Sequence, residues 1–410
     1  MKTINRIIPI TLGAAFILIT TCSKEQKELP AASFLCPNTV GIGDTIYFQN
    51  FSEGANTFDW DFGDGNVSTE KNPSHIYTEP GVFTIILVAT NEDGSDEASW
   101  DILIKPWGTR APMPTARFWF TSEVVNGKIY VFGGATANYA PTLATVEEYD
   151  PVTDTWTTKQ EMPTPRYNMA SAVVDGKIYT MGGDSIFILG WGDGLHTLEV
   201  YDPSNDTWDT QKTQMPRGRM GASACAVNGI IYVTGGVYML PGDTEGRILR
   251  TVEAYNPATD TWTTKAHMPT GRWALSMPVI NGKIYAMGGS AGGEHGLSTV
   301  ELYDPETNTW TTKASIPVVN CYFGTGIVDG IIYIIGGWDY SAHSRVFAYD
   351  PEIDEWSEKA AMPTVRMGLV AGVVNGKIYA IGGTPHYQMQ PLSTNEEYSP
   401  KSTSVENKAI

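Results

Sequence analysis

One pattern of apolar and polar positions recurs from residue 107 to residue 400. A short apolar run meets a two-residue polar step, then a β-branched and aromatic run such as "KIYVF" closes on Gly-Gly. The Gly pairs begin at Gly133, Gly182, Gly235, Gly288, Gly336 and Gly382, which makes six copies at a period of 46 to 53 residues. The polar steps are Asn126-Gly127, Asp175-Gly176, Asn228-Gly229, Asn281-Gly282, Asp329-Gly330 and Asn375-Gly376. Both central residues of a type I′ turn need positive φ, so each step predicts a hairpin between strands one and two of its copy. Strand three carries a Tyr and strand four a Trp, with a Pro-containing turn between them: Tyr149 and Trp156 in "VEEYDPVTDTW". The same spacing recurs at Tyr201 and Trp208, Tyr255 and Trp262, Tyr303 and Trp310, and Tyr349 and Trp356. Four short strands per copy at a period near fifty predict a propeller of six four-stranded blades.

The last copy has Tyr398 and Pro400 but no Trp after them, whereas "WGTRAPMPTAR" (107–117) begins with a Trp that no Tyr precedes. Ring closure reconciles the two: the start of the repeat region supplies the outer strand of the sixth blade, removing open sheet edges. "GKIYVFGG" followed by the spaced Tyr and Trp resembles the kelch repeat, and the resemblance covers residues 107 to 400.

Upstream, residues 31–106 hold short alternating segments such as "TIYFQN" and "FTIILVAT", bounded by Gly, Asn, Asp and Pro, which predict a small antiparallel β-sandwich. "WDFGDG" with "NPSHIYTEPGVFTIILVATN" resembles the PKD (polycystic kidney disease) domain. The resemblance implies a spacer with Trp60 in its core; Asp61 and Asp64 belong to the family's fold signature and offer a calcium reading as well. The expected fold class is thus all-β, a PKD sandwich followed by a six-bladed kelch propeller closed by an N-terminal outer strand.

Residues 1–21 read as an export signal: Lys2 and Arg6, a short apolar run, then small residues. Cys22 resembles the acylated Cys of a bacterial lipobox, and Ser23 after it resembles outer-membrane sorting, so an exported outer-membrane lipoprotein is expected, on the cell surface or the periplasmic face. Residues 22–30 are a polar tether and 401–410 a C-terminal tail. The formal charge of −18 becomes −20 once Lys2 and Arg6 are removed, which argues against nucleic acid and against charge-driven membrane contact. Attachment would come from acyl chains alone. Cys36, Cys225 and Cys321 are an odd, scattered set and not a disulfide framework. No metal or cofactor is expected, and the chain is expected to be a monomer.

Chain direction places the tight hairpins on one rim and the variable loops on the other, where binding on a rigid scaffold resides. Two sets of residues compete there for a ligand. The first is a recurring Arg at the start of each innermost strand: Arg117, Arg166, Arg219, Arg272 and Arg366, with Asn320 in copy five. In kelch adaptors arginines near this position contact acidic peptides, and guanidinium suits carboxylates. A structural reading competes. A Glu stands two before the Tyr at Glu147, Glu199, Glu253, Glu301 and Glu396, and copy five, which lacks the Arg, has Phe347 there. That joint loss predicts an intrablade ion pair, with the glycines of strand two leaving room for Arg to reach across. The second set is loop residues able to stack on sugars or peptide side chains: Phe187, Trp191, His196, Tyr238, Trp338, Tyr340, His343, His386 and Tyr387. Trp191 and Trp338 are the preferred contacts.

The kelch resemblance also implies enzymatic alternatives, a sialic-acid mutarotase or, more remotely, a copper-dependent galactose oxidase. Only His386-Tyr387 sets a His beside a Tyr, and no Ser-His-Asp, phosphate-cradling or zinc motif occurs. The favoured expectation is a lipid-anchored, non-enzymatic propeller that binds a glycan or protein on its variable-loop rim, with no catalytic residues.

Overall fold

The computed structural model describes residues 27–137, 141–185, 194–239, 246–292, 296–386 and 390–400. The PKD region is built on a five-stranded sheet ordered Thr39–Gly41, Gly94–Lys105, Gly81–Asn91, Thr57–Asp61, Val67–Ser68. Trp60 is fully buried, its ring 5.1 Å from Phe34 and 5.6 Å from Phe48. Asp61 and Asp64 accept backbone N–H bonds from Gly63 and Asn66 within the turn. Among the described residues no group of three or more His, Cys, Asp or Glu is placed to hold a metal.

The repeat region forms six four-stranded antiparallel sheets in which strand order follows the chain in five blades. The sixth is ordered Val370–Val374, Lys377–Ile381, Asn395–Tyr398, Trp107–Arg110, so the first strand of the region completes the last blade. Trp107 pairs with Tyr398, and their rings lie 4.7 Å apart. Its indole N–H donates to Ala360 O at 2.9 Å, the linker that enters its own blade. Trp156, Trp208, Trp262, Trp310 and Trp356 do the same for Ala111, Gln160, Thr213, Ala266 and Ala314. Trp107 therefore fills the role that the sixth copy lacks.

The hairpin residues adopt the left-handed conformation their sequence demands; Asn126 has φ of 52° and Gly127 of 74°. Each blade interface is a separate apolar cluster, and each contains the residue before Pro in the Met-Pro phrase: Met113, Met162, Met215, Met268, Ile316 or Met362. Burying these side chains between successive sheets is the main force holding the ring. A Cβ on Gly182 would come 2.4 Å from Arg219 O, so the Gly-Gly pair lets the linker of the next blade press against strand two.

Candidate functional site at the channel mouth

The Met-Pro-Thr-x-Arg phrase resolves into three jobs. Met anchors the interface, while Thr and Arg converge on one Glu of strand three. In the first blade Thr115 Oγ1 donates to Glu147 Oε1 at 2.8 Å and Arg117 Nη2 to Glu147 Oε2 at 2.5 Å. Arg117 Nη1 also donates to Gly133 O and Thr145 O, both at 2.9 Å. Arg166–Glu199, Arg272–Glu301 and Arg366–Glu396 repeat the ion pair at 2.6 Å, and Arg219 pairs with Glu253. All five arginines are at most 1 % exposed. Burial lowers their pKa values against the pull of the Glu partners, Arg366 to about 10. The arginines expected as ligand contacts are thus enclosed, and their donors are turned to carbonyls and carboxylates of their own blade. The glycines contribute differently from the expectation: the first Gly carbonyl accepts from Arg, and the absent side chain makes room for the neighbouring blade. In blade five Asn320 Nδ2 reaches the equivalent Gly336 O at 3.0 Å, and buried Phe347 replaces the carboxylate.

The loop residues separate into three groups. Cys22, Phe187, Trp191 and Tyr387 lie outside the described residues. His196 is tied into its loop, with Nδ1 2.8 Å from Met215 O and Nε2 accepting from Gly218 N at 3.1 Å, which makes it a brace. Tyr238 lies under the Arg217 guanidinium at 4.6 Å, a cation–π contact; Arg217 stands where four other phrases have Thr. Trp338 and His386 are half-buried, and Tyr340 is exposed with φ of 114°. His343 is buried at the place where five other blades put Leu143, Leu195, Leu249, Leu297 and Leu392. Neither ring nitrogen has a hydrogen-bond partner among the described residues. Burial lowers its pKa, with Asp339 opposing and Arg345 adding to the shift.

Two residues after the Arg of each phrase, or Asn320 in blade five, the chain forms a structure that the sequence reading missed. Trp119, Asn168, Gly221, Ala274, Tyr322 and Gly368 all have φ between 50° and 62°. Each donates its N–H to the carbonyl of its predecessor, and Trp119 N donates to Gly368 O, closing a ring of six hydrogen bonds of 2.7–3.2 Å around the channel mouth. Aromatic side chains stand on this ring. Trp119 stacks on Tyr322 at 5.6 Å and on Tyr167 at 6.1 Å, and Trp273 meets Tyr322 edge-on at 5.4 Å. A Cβ on Gly368 would come 2.8 Å from the Trp119 indole, and one on Gly221 would come 2.9 Å from Trp273. The two ring glycines therefore seat the two tryptophans. Trp119, Trp273 and Tyr322 stay partly exposed. The signal in the sequence was the aromatic character two positions after Arg117 or Asn320, and one after Arg272.

Six four-stranded blades around a channel, closed by the first strand of the repeat, define a velcro-sealed β-propeller with an aromatic collar at its open end. The chain belongs to the kelch-repeat family: the model of the KLHDC2/KLHL20/DRC7 Kelch-repeats domain matches residues 95–267 and 237–383, and the Kelch motif matches 366–406. The PKD domain model matches residues 27–104. Human Kelch-like protein 28 is similar at 36% identity over 101 residues, 24% of this chain and 17% of that protein. Kelch-like ECH-associated protein 1B of Danio rerio is 36% identical over 103 residues, 25% of this chain and 17% of that protein. Beta-scruin of Limulus polyphemus is 29% identical over 194 residues, 47% of this chain and 15% of that protein. The chain thus spans about a sixth of the length of these curated relatives. The solved structure of YjhT shares the fold at a TM-score of 0.61 and 17% identity, covering 69% of this chain and 95% of that one.

Proposed function

We propose that the propeller is a binding module whose open rim takes a glycan, held on the collar of Trp119, Trp273 and Tyr322. The observation that carries this reading is the collar itself: partly exposed indole and phenol faces fixed around an opening by a closed backbone ring. Sugar C–H faces stack on such surfaces at little cost in side-chain entropy. The rim arginines are enclosed, which weakens an acidic-peptide reading of the same rim. In this reading the PKD domain is the spacer, and export with acylation at Cys22 places the propeller at the membrane surface; metabolic labelling with a fatty acid, lost in Cys22→Ala, tests that part.

A glycan array probed with the chain lacking residues 1–22, followed by titration of the best hit, tests the collar. Trp119→Ala and Trp273→Ala should each weaken capture by about tenfold or more, stacking contributing about 1 kcal/mol beyond area burial. Unchanged affinity in both variants, or sugar turnover without stable capture, would overturn the reading.

A further inference from the structure

Below the collar the innermost strands line an open cavity of about 510 Å³, within the range of small-ligand pockets. Its wall is tiered. Nearest the mouth are Phe120, Met169, Leu275, Phe323 and Leu369; toward the hairpins are Val124, Val173, Ile327 and Val373. The waist between them is polar. Thr121 and Ser171 share a hydrogen bond of 2.5 Å, and across the channel Ser276 and Thr325 share one of 2.6 Å. Among the described lining residues one group is ionisable, Glu123. Three positions before the hairpin, the other five blades carry Ala172, Cys225, Pro278, Gly326 and Gly372, so the carboxyl is particular to blade one. Glu123 Oε1 accepts from Ser171 Oγ at 2.7 Å; Oε2 has no donor among the described residues.

We infer that this waist is a second ligand chamber, one that takes a small hydroxylated ammonium compound with Glu123 as its counter-ion. Glu123 is partly exposed, its carboxyl open to the channel with a single hydrogen bond from the protein, and a carboxylate so placed among apolar walls is stabilised by a cation beside it. The charge of Glu123 reaches the buried Cys225 thiol and raises it, and among the described lining residues there is no cation to balance the carboxylate. The hydroxyls suit a polyol, since each both donates and accepts. Desolvation by the channel wall pushes the Glu123 carboxyl up to about 7, against the Ser171 hydrogen bond. An ammonium ligand arriving at the protonated carboxyl therefore displaces its proton to solvent, and the carboxylate left behind pairs with the cation. The inference does not depend on the glycan reading of the rim.

Calorimetry on the propeller-containing chain tests it with glucamine against glucitol, which differ only in replacing one hydroxyl by an ammonium. Glucamine should bind at least tenfold more tightly than glucitol at pH 8. Its affinity should rise about tenfold from pH 6 to pH 8, because only the ionised fraction of a group titrating near 7 is competent. Buffers of different ionisation enthalpy should report close to one proton released at pH 6 and little at pH 8. Glu123→Gln, which keeps the shape and a Ser171 partner, should erase both the preference and the pH dependence. Equal binding of the two probes, no proton release, or a glucamine affinity unchanged in Glu123→Gln would each overturn the assignment. The proton count needs only the native chain, so it decides the matter even if the variant misfolds.

Discussion

His343 shows what one residue costs when it departs from its repeat. Five blades fill this position with Leu, and the imidazole occupies the same buried place with both nitrogens lacking partners among the described residues. A buried polar group without hydrogen bonds costs about 1–3 kcal/mol. His343→Leu should therefore raise the melting temperature by several degrees, a shift of roughly 2–4 °C accompanying each kcal/mol in a chain of this class. The variant should also change the pH dependence. The folded-state pKa lies below the ordinary 6.5, so between those two values the unfolded chain binds the proton that the folded chain refuses. Stability is lost as pH falls through that window, and melting curves from pH 7 to 4 should show His343→Leu losing less than the native chain. Equal slopes would mean that the imidazole is already satisfied in solution.

At the scale of the blade, the Arg–Glu pair is a device that one copy shows can be replaced. Arg272→Met leaves Glu301 enclosed without its cation and should cost about 3–5 kcal/mol, read by denaturant unfolding. Transplanting the blade-five solution, Arg272→Asn with Glu301→Phe, should recover most of that loss, since Asn320 still meets the Gly carbonyl and Phe347 is comfortably buried. An unaltered melting temperature in Arg272→Met would remove the structural role. The pairing was legible in the sequence because Arg and Glu vanish together from copy five. The hairpins were legible because positive φ restricts which residues stand there, and the Tyr–Trp spacing because strand length fixes it. The collar was not. Trp119 rests on Gly368 and stacks on Tyr322, partners brought near only by closure, and the repeat pattern records contacts within a copy better than contacts around the ring. Glu123 was hidden for a simpler reason: a single Glu in a short strand reads as solvent-facing until the cavity beside it is seen.

For the whole molecule, the decisive element is the strand Trp107–Arg110. It supplies the outer edge of blade six and fastens Ala360, while Met113 just beyond it belongs to the apolar cluster between blades six and one. A chain beginning at residue 113 should lose cooperative unfolding and expose two blade faces to aggregation, whereas one beginning at residue 106 should retain a single transition by calorimetry. Persistence of the native transition in the shorter chain would show that the other five interfaces suffice. The backbone ring at the open end has a different consequence. Its six peptide links run head to tail along a circumference, so their dipoles point tangentially and sum to nothing along the axis. A helix terminus gathers its peptide dipoles into a fixed partial charge; this hoop cancels them. These six hydrogen bonds thereby gather no fixed partial charge at the opening, and under the two proposals selection there passes to the indole faces above it and the carboxyl below.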